Sequence, residues 1–271
     1  MNSGASNSLS DDRLAVFESF ALELGWTAAA AILPRFRVGL EVEDKGGATG
    51  FDPVTAADKG AEAAIRKLIA ERFPEHGVIG EEYGEDRPDA EFVWVLDPID
   101  GTRAFIAGLP LWTTLIGLRY QGQPVVGLIG QPYLDEMFVG SARGSRLMRG
   151  EHETALKVRP CAGLSQALAA TTDPDLFKGP EAPSWKSLRG AVKNARYGCD
   201  AYAYAMVAAG AMDLVVETGL KSWDVEAAVP LLAGAGGFVT DWSGEPVGRE
   251  GGRILIAGDR RLIDEAKALL A

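Results

Sequence analysis

The chain has 271 residues, 47% of them hydrophobic, enough to build one large domain or two closely packed halves around a substantial core. With 38 acidic against 27 basic residues its net charge is −11, which argues against nucleic acid or an anionic membrane as the main partner, since both need a basic face. No apolar run approaches the roughly 18 residues of a membrane span, and residues 1–10 lack the basic-then-apolar order of a secretory signal, so a cytoplasmic location is expected. Cys161 and Cys199 form no CxxC pair, which suits a reducing compartment and buried packing roles.

Apolar periodicity predicts a first helix from Asp11 or Asp12, either of which could be its N-cap, with Leu14, Phe17, Ala21 and Leu24 on the core face. Residues 41–50 form a polar, glycine-rich loop that contains Lys45. The run Asp52-Pro-Val-Thr55-Ala-Ala-Asp58 then leads into a second helix with the stripe Ala61, Ile65, Leu68, Ile69 and Phe73, stopped by Pro74. Val78 and Ile79 precede the acidic Gly80-Glu81-Glu82, and an apolar strand begins at Phe92. From Leu111 to about Met148, short apolar runs broken by Gly and Pro predict antiparallel strands, with turns at residues 122–124 and at Gly144. Beyond Pro160, strands alternate with helices over residues 202–209, over 223–235 and from Arg261. The expected class is α/β with an α+β first half: a flexible stretch over 1–10, one half over 11–145 and another over 146–271.

The chemistry concentrates where the strand from Phe92 ends, in Asp97-Pro-Ile99-Asp100-Gly101-Thr102. Carboxylates at a strand end stand where α/β folds place ligands. If the chain turns helical after Pro98, Asp97 and Asp100 point to one side and the amides of Gly101 and Thr102 are free to bind phosphate. Glu81 and Asp224 add two carboxylates at similar turn signals, Asp224 in the first turn of a helix that Ser222 could cap. Several carboxylates in one cavity repel one another unless cations intervene, so the cluster predicts Mg²⁺ or Mn²⁺ and phosphoryl chemistry. Singly, each motif reads as a turn or a cap; together they point to a metal site.

Rival phosphatase chemistries lack their parts. The only histidines, His76 and His152, have no arginine-glycine-histidine setting and are expected at the surface. Neither cysteine has the arginine of a Cys-x5-Arg loop, and DxxD departs from the DxD plan that uses an aspartate nucleophile. The spacing favours attack by a metal-held water.

At these residues the chain resembles the inositol monophosphatase family of metal-dependent phosphatases, over about residues 12–271. The matching pieces are Asp52-Pro-Val-Thr55-Ala-Ala-Asp58, Gly80-Glu81-Glu82, residues 94–102, and Trp223-Asp224 followed by the glycine-rich residues 233–237. The resemblance implies a layered αβαβα sandwich, two or three Mg²⁺ ions, lithium sensitivity and a homodimer. It assigns Glu81, Asp97 and the carbonyl of Ile99 to the first metal, and Asp97, Asp100 and Asp224 to the second. Thr102 corresponds to the residue that helps orient the attacking water, with Asp52 and Thr55 behind it and Lys45 on a mobile loop near the phosphate.

The tail Thr102-Arg103-Ala104-Phe105 departs from the family's common threonine-asparagine-phenylalanine and resembles the histidinol-phosphate phosphatase branch. Arg196-Tyr-Gly-Cys199-Asp200 aligns with the segment that shapes the substrate pocket, where the branch usually has glycine-glycine-aspartate. Histidinol phosphate carries an ammonium and an imidazole, groups that Asp200 and Glu217 could pair with, whereas inositol offers hydroxyls. Arg103 and Arg196 complete the expected substrate-binding set; Asp200 could instead cap a helix at Ala201, and Arg103 could be a surface ion-pair residue. The expected substrate is therefore a small phosphorylated metabolite, histidinol phosphate first. The alternatives are inositol-1-phosphate or a range of sugar phosphates, then a 3′-phosphoadenosine nucleotide, and last a non-enzymatic regulatory role.

Overall fold

A computed structural model describes residues 9–38, 42–44 and 53–270. Lys45, Asp52 and residues 1–8 of the expected N-terminal stretch lie outside the described residues. Helix α1 (Asp11–Ile32) is followed by short strands β1 (Val42–Asp44) and β2 (Pro53–Thr55), then α2 (Ala56–Arg72). Next come β3 (Gly77–Gly80), β4 (Gly84–Asp86), β5 (Phe92–Asp100), α3 (Thr102–Ile106), β6 (Thr113–Tyr120), β7 (Gln123–Gln131), β8 (Glu136–Ser141), β9 (Gly144–Arg149) and β10 (His152–Ala155). The remainder comprises β11 (Leu168–Thr171), α4 (Glu181–Ala191), β12 (Asn194–Tyr197), α5 (Tyr202–Ala208), β13 (Leu214–Leu220), α6 (Ser222–Val225), α7 (Ala228–Gly234), β14 (Phe238–Thr240), β15 (Gly252–Ala257) and α8 (Arg260–Leu270).

Among the described residues the strands form two main sheets, one in the order β10-β9-β8-β7-β6-β5-β3-β4 and the other in the order β12-β11-β13-β15-β14. Helices α1 and α2 cover one face of the larger sheet. Helices α5 and α7 fill the space between the sheets, and α4 and α8 close the outer face of the smaller one. This is the expected αβαβα layering. The larger sheet runs on through β9 and β10 to Ala155, past the division expected near residue 145. The two inner layers approach closely because β7 carries Gly127: a Cβ there would stand 1.9 Å from the carbonyl oxygen of Ala227, just before α7.

Local chemistry explains most element ends. Ser10 caps α1, its Oγ accepting the Arg13 N–H, so Asp11 and Asp12 stand inside the first turn where the helix dipole favours them. By length and composition the stretch from Asp11 to Arg35 could cross a membrane, although uninterrupted runs suggested otherwise. In the fold its apolar face is core, packed against α2 and strands β6 to β8. The single helix expected over 223–235 is two, α6 and α7, and Pro230 supplies the reason. Lacking an N–H for the carbonyl of Glu226, it is tolerated only in a first turn, and it stands in that of α7.

His76 is a correction: it is buried, not at the surface. Its ring stacks between Phe73 and Phe92 at 4.6 and 4.8 Å, and Nδ1 accepts the Trp94 indole N–H at 3.1 Å. Burial, aided by Arg13 and Arg87, pushes it down to about 4, so it is a neutral core acceptor at neutral pH. His152 is exposed as expected. Cys161 is buried and Cys199 half-buried, both free thiols.

Candidate metal and phosphate site

Strand β5 delivers the first carboxylates. Its residues Phe92 to Leu96 are buried between parallel β3 and antiparallel β6. The β5–β6 register slips between Asp97 and Asp100, which lets both side chains leave the sheet at one end. Thr114 Oγ1 donates to the Pro98 carbonyl at 2.8 Å and holds the slip in place. Gly101 then turns the chain with φ 79, a conformation only glycine adopts freely. A Cβ at this position would also stand 3.1 Å from Asp200 Cγ. The first backbone bond into α3 is donated by Phe105 to Gly101, leaving the Thr102 amide outside the helical ladder. Thr102 Oγ1 donates to the carbonyl of Ile99 at 3.0 Å, tying two expected site groups to each other.

Asp224 arrives from the other half on α6. The N-cap is Lys221, not the expected Ser222, and the Lys221 N–H donates to Asp224 Oδ2 at 2.6 Å. One carboxylate oxygen from each of Asp97, Asp100 and Asp224 falls within 4.8 Å of the others. Glu81 follows β3 directly; Gly80 pairs with Leu96, so Glu81 stands beside Asp97 at adjacent strand ends. It lies outside the tight trio but near enough to raise Asp97.

The electrostatics fit a cation. Asp97 Oδ1 is buried and accepts no hydrogen bond, an unsatisfied lone pair of the kind that a bound ion accounts for. Burial, then Glu81, Asp100 and Asp224, hold Asp97 well above the usual carboxylate range. Burial, then Asp200 and Asp224, do the same for Asp100. Asp224 is pushed up to about 6, chiefly by burial. Carboxylates that would all be ionised at neutral pH in water cannot all be so here without a compensating positive charge, and hard oxygen donors in this number suit Mg²⁺ or Mn²⁺.

Of the expected substrate residues, Asp200 and Glu217 lie near the trio, with Arg103 beside Asp200. Asp200 has φ 44 and does not cap α5; the carboxylate of Asp100 takes the Ala201 N–H at 2.7 Å instead. Asp200 is raised to about 6 by burial, with the Arg103 guanidinium near enough to oppose that shift. Glu217 is fully buried and accepts from Thr171 Oγ1 and from Thr172 N–H and Oγ1 at 2.7 to 3.2 Å, yet burial still lifts it to about 8. Arg196 is exposed on β12 and close to Cys199; no hydrogen bond or ion pair joins it to Asp200 or Glu217 among the described residues. Thr55 caps α2, bound reciprocally to Asp58.

Sequence reasoning gave no site role to Asp58, Glu62 or Glu226, which the fold brings to the surroundings of the site. Asp58 stands near enough to Asp97 to raise it, and the Thr55-x-x-Asp58 capping-box spacing was its signal. Tyr204 is buried with Glu217, Asp100, Asp224 and Asp200 around it, whereas Tyr202 turns away to donate to Glu136 at 2.7 Å. Trp223 packs with Ile79, Val93 and Val95, wedging α6 against β3, which Glu81 follows, and β5, which carries Asp97. Glu62 and Glu226 had no local signal.

The model of the inositol monophosphatase family matches residues 13–270. The chain is 42% identical to the bifunctional phosphatase IMPL2 of Arabidopsis thaliana, over 88% of this chain and 67% of that protein. It is 34% identical to a histidinol-phosphatase of Chlorobaculum parvum, covering 83% and 85% of the two chains, and 35% identical to an inositol-1-monophosphatase of Mesorhizobium japonicum, covering 71% and 73%. Among solved structures, an inositol monophosphatase from Zymomonas mobilis superposes with a TM-score of 0.85 at 38% identity, covering 97% of this chain and 99% of that one. With an acidic trio suited to a metal at the strand ends of an αβαβα sandwich, the chain belongs to the inositol monophosphatase family of metal-dependent phosphatases.

Proposed function

We propose that this phosphatase hydrolyses histidinol phosphate to histidinol and phosphate, as a step of histidine synthesis, with Mg²⁺ as its ion. Asp97, Asp100 and Asp224 would hold the ion, with Glu81 beside them. Bound there, Mg²⁺ supplies charge that neutralises the phosphate and makes water acidic enough to attack at neutral pH. The chain's own groups do the rest. The Thr102 amide, outside the helical ladder, would bind the phosphate, Thr102 Oγ1 is oriented by Ile99, and Asp200 and Glu217 stand near Asp100.

The observation that carries the substrate choice is Asp200. Its backbone is left-handed, its carboxylate is not spent on a helix cap, and it stands against Gly101 beside the metal carboxylates. An additional carboxylate next to a metal site favours a substrate with a cationic end once the ion has taken the phosphate. An inositol phosphate is the second reading, and the inositol monophosphatase relatives favour it. Phosphate release with Mg²⁺ from histidinol phosphate, inositol-1-phosphate and a 3′-phosphoadenosine nucleotide separates the readings. Asp200→Ala is expected to lower kcat/KM for histidinol phosphate by about tenfold or more, on the order of 1.4 kcal/mol, and to change inositol-1-phosphate far less. An equal loss on both substrates removes the specificity role.

We also place the chain in the cytoplasm as a homodimer. Leu109 and Tyr133 are exposed near Arg37, which donates to the Gly108 carbonyl and the Tyr133 hydroxyl, and a second copy covering these side chains is consistent with that state. Sedimentation equilibrium at micromolar concentration is expected to return twice the chain mass; the monomer mass removes the proposal.

A further inference from the structure

Helix α2 turns two residues toward the turn that follows β3. Glu62 is fully buried, and its carboxylate accepts the backbone N–H of Glu82 at 2.8 Å and of Tyr83 at 3.2 Å. Arg66, one helical turn along, donates Nε to the same carboxylate at 2.7 Å, and its guanidinium also donates to the carbonyl of Gly84. Room for the carboxylate exists because residue 80 is glycine: a Cβ there would stand 2.1 Å from Glu62 Oε1. A single i,i+4 ion pair therefore grips both the middle and the end of the turn that carries Glu81.

The other side of that turn is fixed by the sheet. Glu81 N–H donates to the Leu96 carbonyl at 3.2 Å, and Gly80 is in register with Leu96, the residue before Asp97. Glu81 is thus held between β5 on one side and the Glu62–Arg66 pair on the other. These two sets of bonds fix where Glu81 stands relative to Asp97 before any ion is bound. A free turn would relax away from the carboxylate trio and would have to be reordered whenever an ion bound.

We infer that Glu62, with Arg66, is a positioning residue that presents Glu81 to the metal site and thereby sets metal affinity. The inference rests on the family's metal dependence and is independent of which phosphate ester is cleaved. Groups that hold a ligand side chain in place affect affinity well beyond their effect on the fold.

The test compares full-length wild type with Glu62→Gln, Glu62→Ala and Arg66→Met after chelation. Mn²⁺ binding is read by electron paramagnetic resonance, alongside circular dichroism, melting in chelator, and the Mg²⁺ concentration for half-maximal activity. Glu62→Ala is expected to raise the Mn²⁺ Kd by about 10- to 100-fold and the half-maximal Mg²⁺ by a similar factor, with kcat at saturating Mg²⁺ within about threefold of wild type. Glu62→Gln, which keeps one carbonyl acceptor, is expected to fall between the two. A folded Glu62→Ala with Mn²⁺ affinity within about twofold of wild type overturns the inference, as does a lower melting temperature or kcat with affinity unmoved. If Glu62→Ala does not fold, Arg66→Met decides: weaker Mn²⁺ binding supports the positioning role, and unchanged binding overturns it.

Discussion

In Asp97→Asn, kcat is expected to fall by on the order of 10³-fold, about 4 kcal/mol at 1.36 kcal/mol per decade, while the fold persists. An amide offers one neutral oxygen and one N–H₂ donor where the site presents an unsatisfied carboxylate oxygen, so the loss is of charge and of ligand geometry together. Stability should move the other way. Asp97 is raised above its unfolded value, so without metal the folded chain binds the extra proton and loses stability as pH climbs from about 4 through the raised pKa. At pH 7 in chelator the variant is therefore expected to melt a few degrees above wild type, by about 2–4 °C per kcal/mol. Mg²⁺ should then stabilise wild type and leave the variant nearly unmoved. Near-normal kcat, or equal stabilisation of both by Mg²⁺, removes Asp97 from the metal site.

Arg119→Met is expected to cost about 3–5 kcal/mol of stability, read by urea unfolding with an unchanged slope. Arg119 on β6 and Glu226 are both buried and joined by two parallel bonds of 2.7 Å. Removing the guanidinium leaves a carboxylate without its partner in a low-dielectric setting, where desolvation is no longer offset by the pair. Replacing both partners, Arg119→Met with Glu226→Leu, should recover most of the loss, because two apolar side chains need no compensation. The pair also matters for the site: Glu226 is the C-cap of α6, whose Asp224 completes the trio. The single variant is therefore expected to weaken metal binding as well as the fold. A cost under about 1 kcal/mol would mean that the pair behaves as a solvent-exposed bridge.

Much of the architecture could be read along the chain. The core stripe of α1 from Leu14 to Leu24, the stop at Pro74, the hairpin turn at Gln121 and Gly122, and the alternation beyond Pro160 all follow from side-chain period and turn chemistry within a few residues. Ser10 was missed as the cap of α1 because serine followed by two aspartates offers three candidate caps, and only the geometry of the first turn chooses among them. His76 was misplaced for a related reason. A histidine in a Pro-Glu-His-Gly turn looks exposed until Phe73, Phe92 and Trp94 close around it.

The sequence by itself determined which groups are candidates for the chemistry: a DxxD-Gly-Thr element at the end of an apolar strand, with Glu81 and Asp224 at two further element ends. These are local signals, legible because each side chain's direction depends on the few residues around it. Only the tertiary structure decided how they meet. Parallel pairing of β3 with β5 sets Glu81 beside Asp97, and the Arg119–Glu226 pair ties α6, with Asp224, to the larger sheet. The left-handed turn at Asp200 and the grip of Glu62 on the 81–84 turn likewise depend on neighbours distant in sequence. Burial and like-charge repulsion act through space, so the cost of gathering these carboxylates, and the cation it calls for, exist only once the layers have closed.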